Sequence, residues 1–162
     1  MVSIDIRLFY DIQSLELYYK QLSKERGTHV SVSIHTPFLS NLNVIENIAL
    51  IEEIHQRFDR VKSHHNAMKK MQLLDLEHLT TQHPSKCSEI EKFSLALIRA
   101  SMMRDVTIVI ITPLVQYPSQ APIEQLEKIM QILAIQKRTI ILDLTLYEND
   151  YNEKGLTCHT IA

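Results

Sequence analysis

Eight histidines are the side chains of this 162-residue chain best suited to binding a metal ion. The densest group is His55, His64 and His65, and Asp59 lies four residues after His55. Adjacent helical residues point to different sides, and no Cys or acidic residue lies four positions after His64 or His65. Because His55 and Asp59 supply only two ligands, we predict a solvated histidine cluster and no metal site.

Cysteine, serine and carboxylate chemistry has little support. Cys87 and Cys158 form no Cys-x-x-Cys motif, and two free thiols suit a reducing compartment. No Gly-x-Ser-x-Gly motif is present. The acidic residues Glu148, Asp150 and Glu153 lie in a polar run that we predict to be a solvated loop. These residues therefore do not indicate a thiol-dependent, serine-dependent or carboxylate-dependent enzyme.

Composition limits the partners that the chain can bind. The 17 basic and 19 acidic residues give a net charge of -2, so we expect no nucleic-acid partner. No run approaches the roughly 20 apolar residues of a membrane span. The N-terminal MVSIDIRLFYD carries acid inside its apolar run, unlike a signal peptide. We expect a single cytoplasmic domain over residues 1–162.

The first third of the chain has strand and helix patterns in alternation. Apolar and polar residues alternate over 2–8, which predicts a strand that reaches residue 10. Asp11 is a good N-cap for a helix that runs until Gly27. A second alternating run over 29–35 predicts a second strand, which ends at Pro37.

A helical segment follows. Asn43 and Glu46 have the spacing of a capping box, and residues 43–104 have helical periodicity with short breaks. We predict a helical lobe over this range.

Two almost continuously apolar runs, 106–112 and 139–145, predict central strands of a parallel sheet. Pro122 lies near the first turn of the crossover helix between them. The predicted fold class is α/β, with a small parallel sheet flanked by helices. The helical lobe is inserted between strands 2 and 3, and the α/β core comprises 1–35 and 105–150.

Two stretches resemble the ATP-binding subunit of ABC transporters. In TPFLSNLNVIENIAL, residues 36–50, Glu46-Asn47-Ile48 matches the Glu-Asn-Ile that follows the family's Q-loop, and Asn43-Val44 stands for its Thr-Val pair. The segment HPSKCSEIEKFSLALIRASMMRDVTIVIITP aligns without gaps to the family's signature helix and the strand that follows it. The residues in register are Pro84, Ser88, Arg99, Ala100 and Pro113.

The resemblance covers roughly the last three-quarters of the chain. It implies a P-loop NTPase-like, ABC ATPase-like fold in a degenerate, truncated member of the family. MQLLDLEHLTTQHP, residues 71–84, is similar to the stretch that precedes the signature.

Departures from the family pattern fall on its nucleotide-binding elements. The only glycines are Gly27 and Gly155, so no G-x-x-x-x-G-K-[ST] loop exists to close around phosphate. Glu89 and Ile90 occupy the positions of the two signature glycines after Ser88, and a carboxylate there would repel a triphosphate.

The remaining catalytic positions are also substituted. Ile111 and Thr112 occupy the places of the magnesium-linked aspartate and the catalytic glutamate. The Q-loop glutamine corresponds to His35 or a neighbour, and the switch histidine to Thr145 or Leu146. The resemblance therefore implies a protein with no catalytic residue, no cofactor and no ATPase activity.

Asp11 supports one further hypothesis. It lies at the start of the helix that would bind phosphate in the family, where exposed N–H groups and the helix dipole attract an anion. The Asp11 carboxylate would then cap this helix in place of phosphate. An ordinary N-cap accounts equally well for the residue.

The segment that the family uses to hold its membrane partner is the best preserved. The candidate docking residues are Phe38, Leu39, Leu42, Val44 and Asn47. We expect docking on a permease or on an active ATPase subunit, and contact with the membrane's inner face only through that partner. The opposing interpretation is that apolar residues at helical spacing are core residues.

Two alternatives to a docking subunit remain open. The chain could bind nucleotide weakly as a sensor, or it could be a stand-alone interaction protein, including a homodimer, with no part in transport.

Overall fold

The computed structural model describes residues 4–24, 29–33, 35–112 and 122–161. Its strands are β1 (Ile4–Phe9), β2 (His29–Val32), β3 (Thr107–Ile111), β4 (Thr139–Leu144) and β5 (Cys158–Thr160). Its α-helices are α1 (Ile12–Leu22), α2 (Val44–Gln56), α3 (Arg60–Leu73), α4 (Glu89–Met102), α5 (Pro122–Ile132) and α6 (Glu148–Glu153). Short 3-10 turns cover Glu77–Leu79, Pro84–Lys86 and Thr145–Tyr147.

The strands form one parallel sheet in the order β2-β3-β4-β1-β5. β4 is central, and it pairs with β1 from Ile4 beside Thr139 to Phe9 beside Leu144. β3 and β4 are almost continuously buried, in agreement with the apolar runs that predicted them. The prediction of an α/β fold with a small parallel sheet flanked by helices is confirmed.

The first helix begins at the predicted residue. Asp11 has an extended backbone, and its side chain accepts a hydrogen bond of 2.8 Å from the Ser14 N–H. α1 ends at Leu22, earlier than predicted, and Ser23 is its C-cap, with an N–H that donates to the Tyr19 carbonyl at 2.8 Å. Gly27, the predicted end of the helix, lies outside the described residues.

The second strand is shorter than the predicted 29–35. β2 pairs with β3 only from His29 to Val32, since the chain bends away at Ser33. His35 lies in a turn and is exposed.

The C-terminal region differs from its prediction. The run with Glu148, Asp150 and Glu153 is helix α6, so the prediction of a solvated loop was wrong. The segment is polar apart from Tyr151, and this one residue was not recognised as a core residue. Tyr151 is fully buried and donates a hydrogen bond of 2.7 Å to the Asp143 carboxylate. This anchor orders the segment. β5 then follows beside β1, although its three mostly exposed residues have no apolar run that would predict a strand.

The chain divides into two compact units. The first comprises Met1–Ser33, Asp105–Glu127 and Gln136–Ala162, and the second comprises Ile34–Arg104 and Lys128–Ile135. One core cluster of the first unit joins α1 to the sheet through Phe9, Leu15, Val109, Ile140 and Leu142.

In the second unit, α2 packs on α3 and α4. The fully buried side chains of these helices include Ile48, Ala49, Ala67, Met71, Leu95 and Ile98. No helix in the described part of the chain is long and apolar enough to span a bilayer.

Candidate functional site

The carboxyl end of β1 leads directly into the N-terminus of α1, a strand–turn–helix arrangement that could bind an anion. Asp11 occupies this turn. Its hydrogen bond from the Ser14 N–H lowers the pKa of the Asp11 carboxyl and keeps it charged at neutral pH. A fixed negative charge therefore lies where a phosphate would have to bind.

The two positions at the end of β3 that the resemblance aligns with the family's aspartate and glutamate lie on the same edge of the sheet. Ile111 is half-buried. Thr112 is buried, has a left-handed backbone with φ of 48°, and donates its N–H to the Leu142 carbonyl at 2.7 Å. Neither side chain carries the carboxylate that magnesium or a catalytic water would need. Thr145 opens the 3-10 turn after β4 and is partly buried.

The residues aligned with the family signature form the N-terminus of α4, where Ser88 is the N-cap. The Ser88 side chain accepts from the Glu91 N–H at 3.3 Å, and the Glu91 carboxylate accepts from the Ser88 N–H at 2.7 Å, which completes a capping box. Glu89 is exposed and pairs with Lys92 at 2.9 Å, and Ile90 is partly buried. The helix N-terminus is thus satisfied by its own side chains.

Replacing the cap tests this assignment. We expect Ser88→Ala to lower the free energy of unfolding by about 1 kcal/mol, because the N-cap acceptor is lost. Ser88→Thr keeps the hydroxyl acceptor and should retain most of the stability. Denaturant unfolding of both variants measures the difference; equal stability of Ser88→Ala and wild type would contradict the role of Ser88 as a cap.

A third candidate site is the loop of residues 37–43, called the docking loop below. Asn47, in α2, is 2% exposed and binds the loop from beneath. Its Oδ1 accepts from the Leu39 N–H at 2.7 Å. Its Nδ2 lies 3.0 to 3.1 Å from the carbonyl oxygens of Leu39, Leu42 and Asn43. One buried amide therefore determines the path of the loop.

Two further side chains hold the docking loop, one at its start and one at its middle. Arg99, in α4, donates to the Pro37 carbonyl at 2.8 Å, and its guanidinium lies 4.9 Å from the centre of the Phe38 ring. His83 binds the Ser40 carbonyl through Nε2 at 2.6 Å. Burial lowers the pKa of Arg99 because it removes water from the charged guanidinium. The cation–π contact and the hydrogen bond offset part of the free energy lost by this desolvation.

The predicted docking residues divide by exposure. Leu39 is 48% exposed, and Phe38 and Leu42 are partly exposed, so all three could contact a partner. Val44 is fully buried and Asn47 nearly so; these two support the loop and offer no surface. Sequence reasoning did not single out His83, and it noted Arg99 only as a match to the signature segment. Their loop partners are more than 40 residues away in sequence.

The histidine cluster forms no metal centre in the described part of the chain, where no group of three or more His, Cys, Asp or Glu side chains could hold an ion. Cys87 and Cys158 are both free thiols, and burial raises the pKa of each.

No protein-family model matches this chain, and no curated protein matches it.

Proposed function

We propose that this chain is a catalytically inactive relative of ABC transporter ATP-binding subunits that docks on a permease or an active ATPase partner. The observation that carries the proposal is the docking loop, which three side chains of the surrounding helices and turns hold in one conformation. A loop ordered before binding loses little conformational entropy when a partner binds. Leu39 is the exposed apolar side chain that this loop presents.

Inactivity is supported by the chemistry of the sheet edge. A phosphate loop needs glycines and a lysine between the first strand and the first helix, and here Tyr10 and Asp11 occupy that turn. The Asp11 carboxylate takes up the N–H group that phosphate would use. Ile111 ends β3 and Thr112 follows it, so the two positions that would carry the magnesium-linked aspartate and the catalytic glutamate of the family carry no carboxylate here.

Nucleotide binding is the first test. Calorimetric titration of the protein with ATP and magnesium should give no saturable heat, because the turn after β1 repels triphosphate. Saturable, magnesium-dependent binding would show that the protein is a nucleotide sensor and would contradict the proposal.

Docking is the second test. Tagged protein would be incubated with solubilised membranes of its own cells, and the bound proteins identified. We expect a polytopic transporter subunit or its ATPase to be recovered with wild type, and at least tenfold less with Leu39→Ser.

Ile54→Ser is the matched control for this experiment, since Ile54 is 61% exposed in α2 of the same unit and lies outside the docking loop. It should recover the partner at the wild-type level. Equal recovery with Leu39→Ser and Ile54→Ser would rule out the docking loop, and recovery of no transporter component would overturn the assignment to transport.

A further inference from the structure

Three large exposed apolar side chains lie on the two segments that leave the carboxyl ends of β1 and β4. Tyr10 follows β1 and is 73% exposed, and Ile12 begins α1 and is 45% exposed. Leu146 lies in the 3-10 turn after β4 and is 64% exposed. Because Phe9 pairs with Leu144, the segments that carry these residues leave the sheet side by side. We call these three side chains the β1–β4 surface.

The strand order makes this edge the natural binding position of the fold. From β1 the chain continues to β2, which is the outermost strand on one side of the sheet. From β4 it continues to β5, which is the outermost strand on the other side. Adjacent parallel strands whose connections lead in opposite directions leave a crevice beyond their carboxyl ends, where ligands of α/β sheets bind. Here that position carries apolar side chains instead of glycine-rich backbone.

The two segments that carry the β1–β4 surface are acidic, and Lys154, the residue after the second segment, pairs with Glu124. Residues 10–17 and 143–153 contain no Lys or Arg. Their exposed carboxylates are Asp11, Glu16, Glu148, Asp150 and Glu153. An apolar patch with an acidic border complements a partner that has an apolar face bordered by basic groups.

We propose that the β1–β4 surface binds a basic amphipathic helix of another protein. The apolar face of that helix would cover Tyr10, Ile12 and Leu146, and its Lys or Arg side chains would face Asp11, Glu148 and Asp150. A second copy of this chain is the poorer occupant, because a two-fold contact would bring one acidic border against another. The proposal does not rest on the docking loop or on an assignment to transport.

The test uses a synthetic peptide of roughly 18 residues built from Leu and Lys at amphipathic helical spacing. Its partner peptide has Glu in place of every Lys. Binding to the full chain is measured by fluorescence anisotropy, and the site is located by chemical-shift changes. We expect the Lys peptide to bind and to shift residues 10–12 and 145–148, and the Glu peptide to bind at least tenfold more weakly.

Variants distinguish binding at the β1–β4 surface from non-specific hydrophobic binding elsewhere on the protein. The double variant Tyr10→Ser with Leu146→Ser should bind the Lys peptide at least tenfold more weakly, and Asp150→Lys should also weaken it. Leu73→Ser, at an apolar residue 53% exposed in α3, should bind like wild type.

Three results would overturn the proposal. The first is equal binding of both peptides, and the second is unchanged binding by the double variant. The third is self-association of the protein that Tyr10→Ser abolishes, since a second copy would then be the occupant. Loss of partner recovery with Leu39→Ser would still support the proposed docking function in each case.

Discussion

Tyr151→Phe is expected to lower the free energy of unfolding by about 2 kcal/mol at neutral pH, because it removes a hydrogen-bond donor from a buried carboxylate. The Tyr151 hydroxyl lies 2.7 Å from Asp143 Oδ2, and neither side chain is exposed to solvent. The second Asp143 oxygen accepts from the Leu144 N–H at 2.9 Å. The variant retains the ring packing, so the loss combines the missing hydroxyl with the cost of leaving the buried Asp143 carboxylate without this donor.

The same pair makes stability depend on alkaline pH. Burial, the Asp143 charge and the hydrogen bond to it raise the pKa of Tyr151 well above its usual value. Below about pH 10 both folded and unfolded states hold the phenol proton. Above it only the unfolded state releases the proton, so wild type should lose about 1.4 kcal/mol per pH unit through this residue. Tyr151→Phe has no phenol to ionise and does not lose stability in this way. The difference in free energy of unfolding between wild type and Tyr151→Phe should therefore become smaller as the pH rises above about 10.

Tyr10→Phe is the control for this prediction, because Tyr10 is 73% exposed and its hydroxyl is solvated. Urea unfolding at pH 7, 9 and 11 would compare both variants with wild type. If Tyr151→Phe were as stable as Tyr10→Phe at pH 7, the buried hydrogen bond would not stabilise α6.

Asn47→Ala should lower the free energy of unfolding by about 3 kcal/mol, because the Leu39 N–H loses its acceptor and the carbonyls of Leu39, Leu42 and Asn43 lose the two hydrogens that the amide shares among them. The loop should also lose its fixed path. We expect faster proteolytic cleavage within residues 37–43 and weaker recovery of the docking partner, even though Leu39 is unchanged.

Asn41→Ala tests whether any asparagine of this segment would have the same effect. Asn41 is exposed in the docking loop. Its replacement should change stability by less than about 0.5 kcal/mol. Denaturant unfolding and limited proteolysis of the two variants would be compared, and equal behaviour would contradict the supporting role of the Asn47 amide.

Local sequence signals predicted a large part of the fold. Asp11 caps α1, Asn43 and Glu46 form the predicted capping box at 3.0 Å in both directions, and the apolar runs became β3 and β4. Each of these features depends on residues within a few positions of one another. Side-chain periodicity and helix capping also involve residues within a few positions of one another. These elements can therefore be predicted from the sequence without knowledge of the fold.

The absence of a Gly-x-x-x-x-Gly-Lys motif can be read from the amino-acid sequence, since folding cannot supply missing residues. The α/β class also follows from the sequence pattern. The strand order, the burial of Asn47 and Val44, and the anchoring of α6 by Tyr151 became known only from the folded chain. These features depend on contacts with other elements, and neither polarity nor spacing encodes which groups a side chain will meet across the fold. The β1–β4 surface exists for the same reason, because parallel pairing brings residues 10 and 146 to one edge.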